Sequence, residues 1–127
     1  MISSKRKIKL IAETAWHHEG DFHFMKSLLE NLCSKSEADI IKIHLTLDLD
    51  EYMTKDHEAY PSLKKWMFSK SQWSQLISII QDSNKEIMVL LNDLSAIEFA
   101  KKFNPNYIEI HSVAMNVPRI QKSILEQ

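Results

Sequence analysis

The chain has 127 residues, 44% of them hydrophobic and 26% charged, with a formal net charge of −1. That length and balance describe one globular domain with a real core and argue against disorder. So small a net charge offers no field for nucleic acid or a membrane surface, and aromatic and basic residues are not interleaved as a stacking groove requires.

The opening Met1-Ile2-Ser3-Ser4-Lys5 lacks the apolar stretch and cleavage site of a secretory signal, and no apolar run approaches a membrane span. The cytoplasm is therefore the expected compartment. The basic run Lys5-Arg6-Lys7 reads as a solvated tail. A first β-like run covers Ile8–Glu13. Behind it, His17-His18-Glu19-Gly20-Asp21-Phe22-His23 has the look of a metal loop. Adjacent histidines before a capped helix are more often polar loop and cap residues. Asp21 is placed to cap the first helix, whose apolar face is Met25, Leu28, Leu29 and Leu32. Cys33 falls on that apolar side. A lone cysteine makes no internal disulfide, which fits a reducing compartment and a buried small hydrophobe.

A second strand covers Ile40–Leu45. The segment Thr46 to Phe68 is polar and charged, and reads as a long functional or mobile loop. Ser69 and Gln72 have capping-box spacing ahead of a helix with Trp73, Leu76, Ile77 and Ile80 on one face. A third strand follows at Ile87–Leu91. Ser95 with Glu98 repeats the capping-box spacing before a helix marked by Ile97, Ala100 and Phe103. Asn104-Pro105-Asn106 makes a turn into a fourth strand, Tyr107–Ile110. Asn116 and Pro118 open a last helix carrying Val117, Ile120 and Ile124. Strand and helix alternating in this way predict an α/β fold with a parallel sheet, about four βα units and no second domain.

Glycine occurs once, at Gly20, where an average chain of this length carries about nine. A glycine-rich phosphate cradle is excluded, so any anion site would depend on side chains and helix N-termini.

Alternation along each strand sends every second side chain to one face. Lys42 and His44 share a face of the second strand, Glu109 and His111 a face of the fourth, and Glu13 ends the first. With the apolar sets against the helices, Glu13, Lys42, His44, Glu109 and His111 converge near the strands' C-terminal ends, where parallel α/β folds place their sites. Two readings stand side by side. Lys42 could simply pair with Glu13 or Glu109, because buried charges need partners; or the cluster could do acid–base work, with a histidine or lysine titrating near neutral pH. A divalent metal on two histidines and two carboxylates is a third reading that the spacing does not specify.

These residues resemble a family. Ile11-Ala12-Glu13-Thr14-Ala15-Trp16-His17-His18-Glu19-Gly20-Asp21 resembles the opening I-A-E-x-x-x-N-H-x-G-D of the sialic acid synthases. Ala38-Asp39-Ile40-Ile41-Lys42-Ile43-His44 is similar to their second strand, A-D-A-V-K-F-Q, and Ser71-Gln72-Trp73-Ser74-Gln75-Leu76-Ile77 to a helix start S/E-x-W-x-x-L-I. Glu86 through Phe99, with Asp93-Leu94, resembles the third strand and helix. Ile108-Glu109-Ile110-His111-Ser112 and Asn116-Val117-Pro118 resemble I-K-I-x-S and the following N-x-P. The resemblance implies a (βα)8 barrel, of which this chain is the N-terminal half. It also implies condensation of phosphoenolpyruvate with an N-acetylated amino sugar, and a divalent metal held by later strands. By the same resemblance Glu13 stands near the sugar, Lys42 and Ser112 bind phosphoenolpyruvate, and His18 and Asp21 shape the site; no metal ligand and no cofactor falls in this chain.

The departures are as informative. The lysine of I-K-I is Glu109 here, beside a multiply charged anion. A unit pair at 4 Å is worth about 4 kcal/mol at an effective dielectric of about 20, and reversal counts roughly twice. The acidic residue after the family's serine has no counterpart at Val113 and Ala114. Leu90 and His17 replace a threonine and an asparagine. Three outcomes are compatible with this pattern: a catalytically impaired binding or assembly module, an active subunit completed by another chain, or a truncated gene product. The reversal favours the first. Open edges on a four-stranded sheet lead to an expectation of self-association or of a complementary half-barrel, with a small anionic or sugar ligand.

Overall fold

The computed structural model describes residues 8–126, so the tail run Lys5-Arg6-Lys7 lies outside the described residues. The elements in order are β1 (Ile11–Glu13), α1 (Phe22–Lys35), β2 (Ile40–Leu45), α2 (Leu49–Tyr52), α3 (Tyr60–Trp66), α4 (Lys70–Gln81), β3 (Glu86–Leu91), α5 (Leu94–Ala100), β4 (Tyr107–Glu109), a 3-10 turn (Ser112–Ala114) and α6 (Pro118–Leu125). The sheet is parallel throughout, in the order β1-β2-β3-β4. The fold is α/β with four parallel βα units, as the alternation of periods predicts, and it matches the partial barrel that the resemblance implies.

The helix-side core follows from that alternation. Ile41, Ile43 and Leu45 of β2 and Ile87, Val89 and Leu91 of β3 join Met25 and Leu29 of α1, Trp73, Leu76, Ile77 and Ile80 of α4, and Ile97 of α5 in one buried cluster. Ile40 and Leu90 are also buried but lie outside that cluster, on the opposite face. None of the described helices is long and apolar enough to cross a membrane.

The local signals are met with two corrections. Asp21 accepts the Phe24 N–H, and Ser69 and Gln72 form the full capping box of α4. Ser95, however, does not cap α5. Asp93 does, accepting the Ala96 N–H at 2.8 Å, because the helix begins one residue after it and Ser95 is already inside. Asn116 and Pro118 do stand at the opening of α6, where Pro118 is the first helical residue and Val117 the capping position, without a side-chain bond. The segment 46–68, read as one long loop, contains the two short helices α2 and α3. Four and seven residues are too few to display a helical period.

Gly20 adopts φ +80, and a Cβ there would stand 2.9 Å from the Trp66 Cα and 3.0 Å from the Lys65 carbonyl. The chain's sole glycine therefore lies where the β1–α1 connection passes over the end of α3.

Candidate functional site

The face of the sheet away from the helices is lined by polar side chains, and the parallel register decides which of them meet. Glu13 lies opposite Lys42, and Leu90 lies between His44 and Glu109. The Lys42 ammonium sits 2.5 Å from Glu109 Oε2 and 3.2 Å from Glu13 Oε2, and His44 Nε2 is 2.8 Å from Glu13 Oε1. Four of the five predicted residues therefore form one ion cluster at the C-terminal ends of β1, β2 and β4.

Burial and pairing oppose each other here. Burial pushes the Lys42 ammonium down, but hydrogen bonds to Glu109 and Glu13 outweigh it and hold it above its ordinary value. Burial raises the Glu13 carboxyl, and the bonds from Lys42 and His44 more than reverse that. For His44 burial wins, and its imidazole is held below its ordinary value despite Glu13. Lys42 is thus moved away from neutrality, not toward it, which removes it as a general base at physiological pH.

The remaining predicted residues take other places. The strand ends at Glu109, so alternation no longer governs His111. Its Nδ1 accepts the Val113 N–H of the 3-10 turn, and its ring stands edge-on to Tyr52 at 6.3 Å. Ser112 is exposed at the start of that turn. Asp21 is exposed and occupied as a cap. His18 is buried in an aromatic box, 4.3 Å from the Phe68 ring and edge-on to Trp73, with Nδ1 accepting the Gly20 N–H. Burial alone pushes its imidazole down to about 4.

Sequence reasoning missed two further groups on the same face. Lys9 reaches across β2 to Glu86 Oε1 at 2.5 Å and to the Tyr107 hydroxyl at 2.9 Å, closing the N-terminal end of the face. At the other end, Asn92 Nδ2 donates to Thr46 Oγ1 at 2.7 Å, and both residues are buried. The signal was present: Glu86, Thr46 and Asn92 extend the period-two rows by one step, and Lys9 lies in the row of Ile11 and Glu13.

Among the described residues no group of three or more His, Cys, Asp or Glu side chains is placed to hold a metal ion.

No family model and no curated protein matches the chain. Solved structures do. N-acetylneuraminic acid (sialic acid) synthetase from Leptospira borgpetersenii, solved in complex with citrate, superposes with a TM-score of 0.83 at 18% identity, covering 94% of this chain and 41% of that one. A structure assigned to spore coat polysaccharide biosynthesis protein E from Chromobacterium violaceum gives 0.80 at 15% identity, covering 95% and 39%. Spore coat polysaccharide biosynthesis protein SpsE from Bacillus subtilis gives 0.69 at 15% identity, covering 92% and 33%. At such identities the likeness is one of fold. The chain spans about two-fifths of the length of the first two.

Proposed function

We propose that this chain is a sialic acid synthase-like partial barrel that has lost phosphoenolpyruvate-dependent condensation and acts as a binding or assembly module. The observation that carries the reading is the neutralised lysine. A phosphoenolpyruvate-binding lysine must offer its charge to the incoming anion, yet Lys42 is already matched by Glu109 at 2.5 Å and Glu13 at 3.2 Å. An anion would have to displace two carboxylates and then sit beside them, a double Coulombic cost.

The test incubates the chain with phosphoenolpyruvate, an N-acetylated amino sugar and a divalent cation, and follows phosphate release and nonulosonic acid formation. No product above the protein-free background is expected. Product formed by this chain alone sinks the reading. Product formed only after a chain supplying the remaining strands is added would instead support the alternative, an active subunit completed in trans.

A further inference from the structure

We propose that the two open edges of the sheet dock on a second copy of this chain in one defined register, and that the inner faces of both copies then form a single eight-stranded interior layered by charge. This rests on the reading of the chain as an assembly module, and names its partner and the register.

The register follows from two ion pairs. Lys42 lies in a row with Met88 and Tyr107, yet its ammonium meets Glu109, two strands away and two residues further along. Lys9 stands two residues before Ile11, whose row runs through Ile40 to Glu86. Its partner is Glu86, again two strands away and two residues beyond its own row. Side chains at one level of the inner face therefore climb one residue per strand. Over eight strands that slant sums to eight, the shear at which an eight-stranded parallel barrel closes.

Two copies related by a two-fold axis along such a barrel supply four strands each, so a row that crosses one copy enters the next at β1 four residues lower than it began. The row of Glu13, Lys42, Met88 and Tyr107 then reaches Lys9 of the second copy. Ile108 meets Leu10 of that copy, and Glu109 meets Ile11. Leu10 and Ile11 are 53% and 48% exposed in the single chain, and this pairing covers both. The exposed large apolar side chains among the described residues all belong to the first βα unit or the last, with Phe24 joining Leu10 and Ile11 on one, and Val113, Met115 and Leu125 on the other. None lies on α4 or α5 between them.

The second support is the interior that this register builds. Alternate strands supply the four side chains of each layer in a barrel of this kind. One layer takes Lys9 and Glu86 from each copy, another Ile11 and Met88, and a third Lys42 and Glu109. Around both charged layers the signs alternate, so every lysine stands between a glutamate of its own chain and one of the other. Glu86 and Glu109 remain 34% and 40% exposed beside their own lysines, which leaves each a side for the second copy. Enclosure between two copies also removes the water and salt that weaken such pairs at a surface. The face is complementary to itself, and that selects a second copy over a half-barrel of other sequence.

The test uses single-cysteine chains that also carry Cys33→Ser. Leu10→Cys and Ile108→Cys chains, mixed and oxidised, are expected to give a covalent mixed dimer, because paired strands bring Cα atoms about 5 Å apart, within disulfide reach. A Thr14→Cys chain, which would meet Ile108→Cys if the rows ran level, is expected not to cross-link. A second measurement reads the charged layers. Exchanging Lys9→Glu with Glu86→Lys keeps the pair within its own chain, and the exchanged chain is expected to dimerise with itself. Against isotopically labelled parent it sets like charges side by side, so native mass spectrometry should show mixed dimers well below the statistical half. Should the exchanged chain misfold, the cross-links decide alone. Cross-linking at residue 14 in place of 10, no cross-link at all, or mixed dimers at the statistical half overturns the proposal. A monomeric chain without condensation activity removes this inference and leaves the functional reading; a cross-linked dimer that forms product does the reverse.

Discussion

The ammonium of Lys42 lies 2.5 Å from the carboxylate of Glu109, and the two residues belong to strands separated in the sheet by β3. The contact is possible because the β3 residues on that face are Met88, opposite Lys42, and Leu90, opposite Glu109, neither of which carries a charge. Lys42 is thereby a structural cation. It offsets two carboxylates across the centre of the sheet.

Replacing Lys42 with Met should lower stability by about 1–2 kcal/mol at neutral pH. Removing one partner of a fully buried pair costs more, but the Glu109 and Glu13 side chains are 40% and 46% exposed, and water takes over part of the lysine's task. The Glu13 carboxyl is held below its ordinary 4.5, so its contribution is present above that pH and is lost as pH falls through the lower folded value. Lys42 is held above its ordinary 10.5, so its contribution is present below that pH and fades as pH rises through the higher folded value. Urea denaturation should therefore show the largest gap between variant and parent in the middle of the pH range, closing in acid. A gap that persists undiminished at pH about 2 would contradict the ionic account.

Period two was enough to gather Glu13, Lys42, His44 and Glu109 onto one face, because each lies inside a strand or at its last residue. It misplaced His111, which stands beyond the strand end and obeys the 3-10 turn instead. It also overlooked Lys9 with Glu86, which are 77 positions apart and meet only through the register of three strands. Local pattern carries no information about register. The Ser95–Glu98 spacing misled for a different reason: Asp93 also fits a cap, and only tertiary contact decides between them. Its second oxygen accepts the Leu47 N–H from the β2 connection, a partner no local rule can see.

His18 should make the fold sensitive to mild acid. Its folded value of about 4 lies below the ordinary 6.5, so between those pH values the unfolded chain holds a proton that the native state lacks. Stability then rises with pH across that window, by up to about 3 kcal/mol in total, and is fully regained above it. His44, also held down by burial, adds to the effect with the same sign. His18→Phe keeps an aromatic ring beside Phe68 and should flatten most of the pH dependence between pH about 4 and 6.5. Parallel stability curves for parent and variant would refute this assignment.

Gly20→Ala should cost about 2 kcal/mol or more. The substitution meets two penalties at once: a positive φ that alanine tolerates poorly, and a Cβ within 3.0 Å of the backbone of Lys65 and Trp66. Since those atoms are main chain, no rotamer change relieves the clash. Thermal unfolding should show a lower midpoint. An unchanged midpoint would mean that the β1–α1 connection and α3 are not held against each other in solution.

Self-association of this chain is the remaining expectation, and its geometry can be specified. Among the described residues β1 and β4 each pair with one neighbour only. The large apolar side chains left exposed include Leu10 and Ile11 at the β1 edge and Val113 and Met115 just beyond β4. An edge with free backbone groups and uncovered apolar side chains is a template for another strand. Two copies joined β4 to β1 would complete eight parallel strands and cover both edges. Sedimentation at micromolar concentration should therefore report a dimer. Ile11→Lys, which places a charge on the β1 edge without touching the helix-side core, should shift it to monomer while leaving the circular dichroism spectrum intact. A monomeric parent chain, or a dimer indifferent to that lysine, would show that the edges are not what holds copies together.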